Sequence, residues 1–267
     1  MIDFPCKNFY DVNDLRRLVS VLRGENGCPW DREQTHESIR RCMLEEAYEA
    51  AEAIDEGDTL HLREELGDVM LQVMFHSDIE ADAGRFNLDE VADAECKKLI
   101  LRHPHVFGDV QVSGSDEVLK NWDEIKRSEK NQPTVTSAMD SVAKCLPALW
   151  RAEKVQKKAA KVGFDWPDAD GALSKTEEEL SEVREAAKSG DGIFEEIGDL
   201  LFAAVNAARK LGVDPEDALN ASTDKFISRF SGMEELAKER GLELKSLSLS
   251  EQDALYNEAK AALKNRD

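Results

Sequence analysis

The chain has 267 residues, 41% of them hydrophobic and 34% charged, and a formal net charge of −21. That is enough for two ordinary domains or one large one, with enough apolar residues for a core. So negative a chain argues against non-specific binding to nucleic acid or membranes, and an anionic substrate would need cations or a metal to reverse the field locally.

The opening residues, MIDFPCKNFYDVNDLRR, hold no apolar h-region, so no signal peptide is expected. No apolar run reaches membrane-spanning length. Cys6, Cys28, Cys42, Cys96 and Cys145 are scattered without a C-x-x-C pair, which predicts neither a disulfide framework nor a zinc site and fits a reducing cytoplasm. The periodicity is helical almost throughout, so an all-α fold is expected.

In chain order, helices are predicted near 12–24, 33–56, 60–83, 87–102 and 115–128. The turn chemistry between them lies at Gly24 to Pro29, Gly57-Asp58, Gly84, His103-Pro104, Gly108 and Gly114. Ser128 to Ser141, SEKNQPTVTSAMDS, is the most linker-like stretch and predicts domains at 1–130 and 142–267 around a linker at 131–141. Further helices are predicted near 140–161, 170–189, 192–211, 214–240 and 249–264, with Gly190 to Gly192 as a turn. Asp58 and Asp191 are expected to cap the helices after them.

The helix near 60–83 is apolar almost all the way round, through Leu66, Val69, Met70, Leu71, Val73, Met74 and Phe75. Its polar residues Glu65, Asp68, Gln72 and His76 fall in one narrow stripe. Such a helix is expected to be buried, and carboxylates on it must be paired, protonated or metal-bound unless the stripe is its one wet edge. Glu46 and Glu49 lie three apart on the preceding helix, and the Gly57-Asp58 turn predicts that the two helices run antiparallel. Four carboxylates can then converge. All-oxygen ligands without Cys or paired His suit Mg²⁺, or Mn²⁺ as a substitute. Glu45 to Glu52 alone would equally suit a solvated face.

The pattern recurs. Glu178-Glu179 with Glu182 repeats Glu45-Glu46 with Glu49, and Glu196 with Asp199 repeats Glu65 with Asp68. Lys225 and Arg229 repeat Lys98 and Arg102, and Tyr256 with Lys260 repeats Trp122 with Lys126. Glu46 to Glu179 is 133 residues, Glu65 to Glu196 is 131, Lys98 to Lys225 is 127 and Trp122 to Tyr256 is 134. Four features in the same order predict a duplicated domain. The basic residues are placed to grip polyphosphate and the aromatic ones to stack on a base, against the plainer alternative of surface cations and core rings. No G-x-S-x-G elbow and no P-loop occurs.

These motifs resemble the all-α nucleoside triphosphate pyrophosphohydrolases, and specifically the MazG family. The first half carries NGCPWD (26–31), RHPHVF (102–107) and WDEIK (122–126), and the second VGFDW (162–166) and KFISRF (225–230). The resemblance implies two tandem helical-bundle domains assembled as a homodimer. It implies Mg²⁺-dependent hydrolysis of nucleoside triphosphates to monophosphate and pyrophosphate, with broad base specificity. The implied metal ligands are Glu46, Glu49, Glu65 and Asp68, and in the second half Glu179, Glu182, Glu196 and Asp199. Glu45 and Glu178 would orient or deprotonate the attacking water. Lys98, Arg102 and Lys126, and Lys225, Arg229 and Lys260, would neutralise phosphate; Trp122 and Tyr256 would meet the base, Tyr256 departing from the Trp of the first half. Both acidic motifs are intact, and the resemblance favours the second domain as the working one. A non-catalytic acidic scaffold or partner-binding protein is the alternative. A di-iron carboxylate protein needs paired Glu-x-x-His helices, and only Glu33 to His36 fits.

Overall fold

A computed structural model describes residues 4–129 and 133–264, and of Lys120, Asp123 and Arg127 the backbone alone. The first residues of the expected linker, 131–132, and the outermost ends of the two expected domains lie outside the described residues. The chain divides into two compact units, Met1–Lys126 and Arg127–Asp267. The fold is all-α, with no strand among the described residues.

In the first unit the helices are α1 (Val12–Arg23), α2 (Pro29–Glu33), α3 (His36–Glu56), α4 (Thr59–Asp82), α5 (Leu88–Arg102), α6 (Pro104–Phe107) and α7 (Ser115–Glu129), the last running across the division. Their starts follow from side chains that satisfy the first free N–H groups: Asp11 with Asp14 before α1, Thr35 with Ser38 before α3, and Asn87 with Glu90 before α5. Gly27 sits so close to the end of α1 that a Cβ there would lie 2.2 Å from the Leu22 carbonyl oxygen. Only glycine lets the chain turn back at NGCPWD, where the Cys28 N–H bonds that same carbonyl at 2.7 Å. Glu33 ends α2 and His36 opens α3, so they share no helix. The core joins Val19 of α1, Ile39 of α3, and Met74 and Phe75 of α4. Buried Arg23 ties α1 to α4, donating to Asp78 at 2.9 Å and to Asp82 at 2.8 Å.

In the second unit follow α8 (Val135–Asp140), α9 (Ala148–Ala160), α10 (Ala169–Ser189), α11 (Ile193–Lys210), α12 (Pro215–Glu239) and α13 (Leu249–Lys264), with a 3₁₀ turn at Leu244–Ser246. The helix expected over 140–161 is shorter at its start. Pro147, without an N–H and with ψ of 140°, stands as the N-cap of α9, and 141–147 form turns. Part of the linker-like stretch is itself helical, with Ala138 of α8 buried. Met233 and Ala237 of α12 pack on Leu255 and Ala259 of α13. Gln156 of α9 donates to the Phe202 carbonyl of α11 at 2.8 Å.

Candidate metal centres

Each unit sets two long helices side by side through a tight turn. Between α3 and α4, Gly57 takes the left-handed conformation at φ 69°, and the Asp58 carboxylate accepts from the Leu60 and His61 N–H groups. Asp58 thus caps α4 as expected. The expected cap at Asp191 does not form. Gly190 and Gly192 both take positive φ, 80° and 71°, so α11 starts one residue later with Gly192 as its uncapped N-cap. Asp191 instead accepts from the Gly192 N–H at 3.1 Å.

The turns bring acids together twice. Carboxylate oxygens of Glu46, Glu49 and Glu65 lie within 4.8 Å of one another in the first unit, as do those of Glu179, Glu196 and Asp199 in the second. The deepest members are Glu65, 8% exposed, and Glu179, 5% exposed. The fourth acid of each set stands beside its group. Asp68 acts on Glu46, whose carboxyl is pushed up by burial and then by Asp68, Glu49 and Glu65. Glu182 stands beside Glu179, and its own carboxyl is pushed up by burial and then by the neighbouring carboxylates of Glu179 and Glu196. Acids this close retain protons or take up cations.

The donor set fits a hard divalent cation. It is all carboxylate, and Glu179 Oε2 is buried with no hydrogen-bond partner. Glu65 is met by His61, Nε2 to Oε1 at 3.1 Å. Glu179 is met by Lys175, Nζ to Oε1 at 2.7 Å. Neither His61 nor Lys175 was among the residues expected from sequence, although each stands four residues before its acid, a spacing that brings side chains together on a helix.

Glu45 is about half exposed and accepts from Arg41 Nε at 2.8 Å; Glu178 accepts from Lys175 at 2.9 Å. Neither is within the three-acid groups. Lys98 pairs with Glu95 on its own helix. Trp122, 37% exposed, meets His103 edge-on with ring centroids 5.0 Å apart. Tyr256 lies 5.8 Å from Phe226. Lys225 and Lys260 are exposed, Arg229 half-buried, and Arg102 and Lys126 engaged with neighbours.

The expectation that the stripe-bearing helix is buried all round is not met within one chain. Leu66 and Met70 of α4, and Ile197, Leu201 and Phe202 of α11, are exposed. Each of these helices is covered on one side, and part of its apolar circumference is left open.

The MazG nucleotide pyrophosphohydrolase domain model matches residues 34–107 and 170–232. Both acid groups fall inside these segments; Trp122, Lys126, Tyr256 and Lys260 fall outside. The nucleoside triphosphate pyrophosphohydrolase/pyrophosphatase MazG of Thermotoga maritima is 44% identical over 247 residues, covering 92% of this chain and 94% of that protein. The nucleoside triphosphate pyrophosphohydrolase of Escherichia coli K12 is 41% identical over 257 residues, covering 93% and 98%. The uncharacterized protein YabN of Bacillus subtilis is 50% identical over 255 residues, 94% of this chain but 52% of that protein, so the chain spans about half of YabN.

Proposed function

The chain belongs to the MazG family, and from that we propose that it is an enzyme hydrolysing nucleoside triphosphates to monophosphate and pyrophosphate, dependent on Mg²⁺, with broad base specificity. The observation that carries this reading is the convergence, twice in one chain, of three carboxylates from facing helices.

Glu46, Glu49, Glu65 and Asp68, and Glu179, Glu182, Glu196 and Asp199, would hold the metal. When bound, a divalent cation neutralises phosphate oxygens and makes phosphorus more electrophilic. Glu45 and Glu178 orient the attacking water and take its proton. The water oxygen bonds the α-phosphorus in line as the bond to the bridging oxygen breaks and pyrophosphate leaves. Lys98, Arg102, Lys126, Lys225, Arg229 and Lys260 balance the phosphate charge; Trp122 and Tyr256 stack on the base, whose π-face any nucleobase supplies. That tolerance supports broad specificity.

Association as a homodimer is supported by the open apolar arcs of α4 and α11, since exposed patches of that kind are contact surfaces. The free cysteines suit a reducing cytoplasm. The test is incubation with a panel of nucleoside triphosphates and Mg²⁺, with the products identified. Monophosphate plus pyrophosphate is expected. Diphosphate plus orthophosphate overturns the bond choice, and no turnover overturns the enzymatic reading.

A further inference from the structure

The two acid groups are built alike but charged differently. With Glu46 matched to Glu179, the residue four earlier is Cys42 in the first unit and Lys175 in the second. Lys175 straddles two acids, with Nζ 2.7 Å from Glu179 Oε1 and 2.9 Å from Glu178 Oε1. One oxygen of the deepest acid is therefore taken by an ammonium group, while Glu179 Oε2 stays buried and unpartnered. The first unit has no such group. Among the described residues no lysine or arginine pairs with Glu46, Glu49 or Glu65, and the groups acting most on Glu46 are acids. The partner recorded there is an imidazole in place of an ammonium group, His61 on Glu65 with Nε2 3.1 Å from Oε1.

A fixed positive charge on a ligand oxygen works against a second cation in two ways. It repels the incoming ion, and its own pairing must be given up for that oxygen to coordinate. Lys175 is 37% exposed, so solvent moderates but does not cancel the repulsion.

We propose that Lys175 is a built-in counter-cation that makes the second acid group the weaker site for free divalent metal, so that the two units fill in order, the first before the second. This rests on the reading of both groups as metal centres. It gives one chain two metal responses, one saturating at low metal concentration and one graded at higher concentration.

The test is Mn²⁺ binding to the full chain without nucleotide, followed by electron paramagnetic resonance of the free ion and by calorimetry. The wild type is expected to show two classes of site, about tenfold apart in Kd. Glu65→Gln should remove the tighter class and Glu196→Gln the weaker. Lys175→Met keeps most of the stem without the charge and should tighten the weaker class towards the other. Cys42→Lys should weaken the tighter class towards the second. Circular dichroism of each variant checks that it is folded, and Lys175→Gln repeats the charge removal should the methionine variant fail to fold. A single class in the wild type, or a weaker class unmoved by loss of the Lys175 charge, overturns the inference while leaving both metal centres standing. No Mn²⁺ bound in either unit overturns the metal-centre reading and the inference with it.

Discussion

His36 of α3 and His76 of α4 face each other with their Nδ1 atoms 2.7 Å apart and their rings stacked, centroids 4.9 Å apart and planes 10° from parallel. One proton fits between the two nitrogens, so the pair cannot be doubly charged without breaking this contact. His36 Nε2 pairs with Glu80 Oε1 at 2.5 Å, and Arg85 grips the same carboxylate through Nε at 2.5 Å and Nη2 at 2.7 Å. The His76 imidazole is held below its usual pKa by burial and then by the His36 charge. Arg85 first, and His36 second, hold the Glu80 carboxyl down to about 2.

Both shifts make stability fall with acid. Around pH 6.5 the unfolded chain takes up a proton at His76 that the folded chain refuses, so the histidine contribution is lost as pH falls through that range towards the lower folded value. Glu80 is protonated near 4.5 unfolded and near 2 folded, so its contribution is lost between those values. Denaturant titrations are expected to show a midpoint falling from pH 7.5 to 5.5 and falling again below pH 4.5. His76→Phe should flatten the first decline and leave the second.

The acid groups give the opposite sign. The Glu46 and Glu182 carboxyls lie above their unfolded values, so the stability linked to their protonated forms is present below about pH 4.5 and lost as pH rises through the folded values. A divalent cation relieves that repulsion, and binding to the folded chain alone raises its stability. The gain in Tm from Mg²⁺ is therefore expected to grow from pH 5 to pH 7.5. Glu65→Gln and Glu196→Gln should each reduce that gain without lowering the metal-free Tm, since each removes one of several repelling charges. Calorimetry at fixed Mg²⁺ across pH checks both statements.

Packing at the start of α10 hinges on Gly171, in the first turn of that helix. A Cβ built there would lie 2.7 Å from Cε3 and 3.0 Å from Cδ2 of Trp166, a rigid ring that cannot yield as a flexible chain would. Gly171→Ala would help an exposed helix, yet here it is expected to cost about 1–3 kcal/mol, the usual price of overpacking. A lowered denaturation midpoint and a shifted Trp emission would show it; unchanged stability would mean that Trp166 moves aside freely.

Much of this was legible because helices announce themselves through period and punctuation. The predicted helix ends near 56, 102 and 189 coincide with the observed ones, and Gly57-Asp58 marks a turn that does what its residues allow. Pro147 carries the same kind of signal, and the continuous helix expected over 140–161 gave it too little weight. The acids were legible because Glu46, Glu49, Glu65 and Asp68 recur as a set. What periodicity could not tell is how much of a helix one chain covers. Leu66 and Met70 read as core and stand exposed, because apolar character says that a face seeks cover and not where the cover comes from. Lys175 escaped notice since a lysine amid acids on a helix is common, and only the depth of Glu179 gives it meaning.

The same depth bears on which unit carries turnover. Glu179 keeps a buried oxygen without a partner, and Asp199 stands within the second group, whereas Asp68 lies outside the three acids that meet in the first. An acid inside the group would hold the metal whose charge neutralises the triphosphate oxygens, and loss of that stabilisation costs about a hundredfold or more in rate. Asp199→Asn is therefore expected to lower kcat for pyrophosphate release by about that factor, and Asp68→Asn to lower it much less. Steady-state rates of both variants with one nucleotide at saturating Mg²⁺ decide the matter. A large loss in Asp68→Asn with Asp199→Asn near wild type would move the working site to the first unit, and equal losses would mean that both units turn over or that each needs the other.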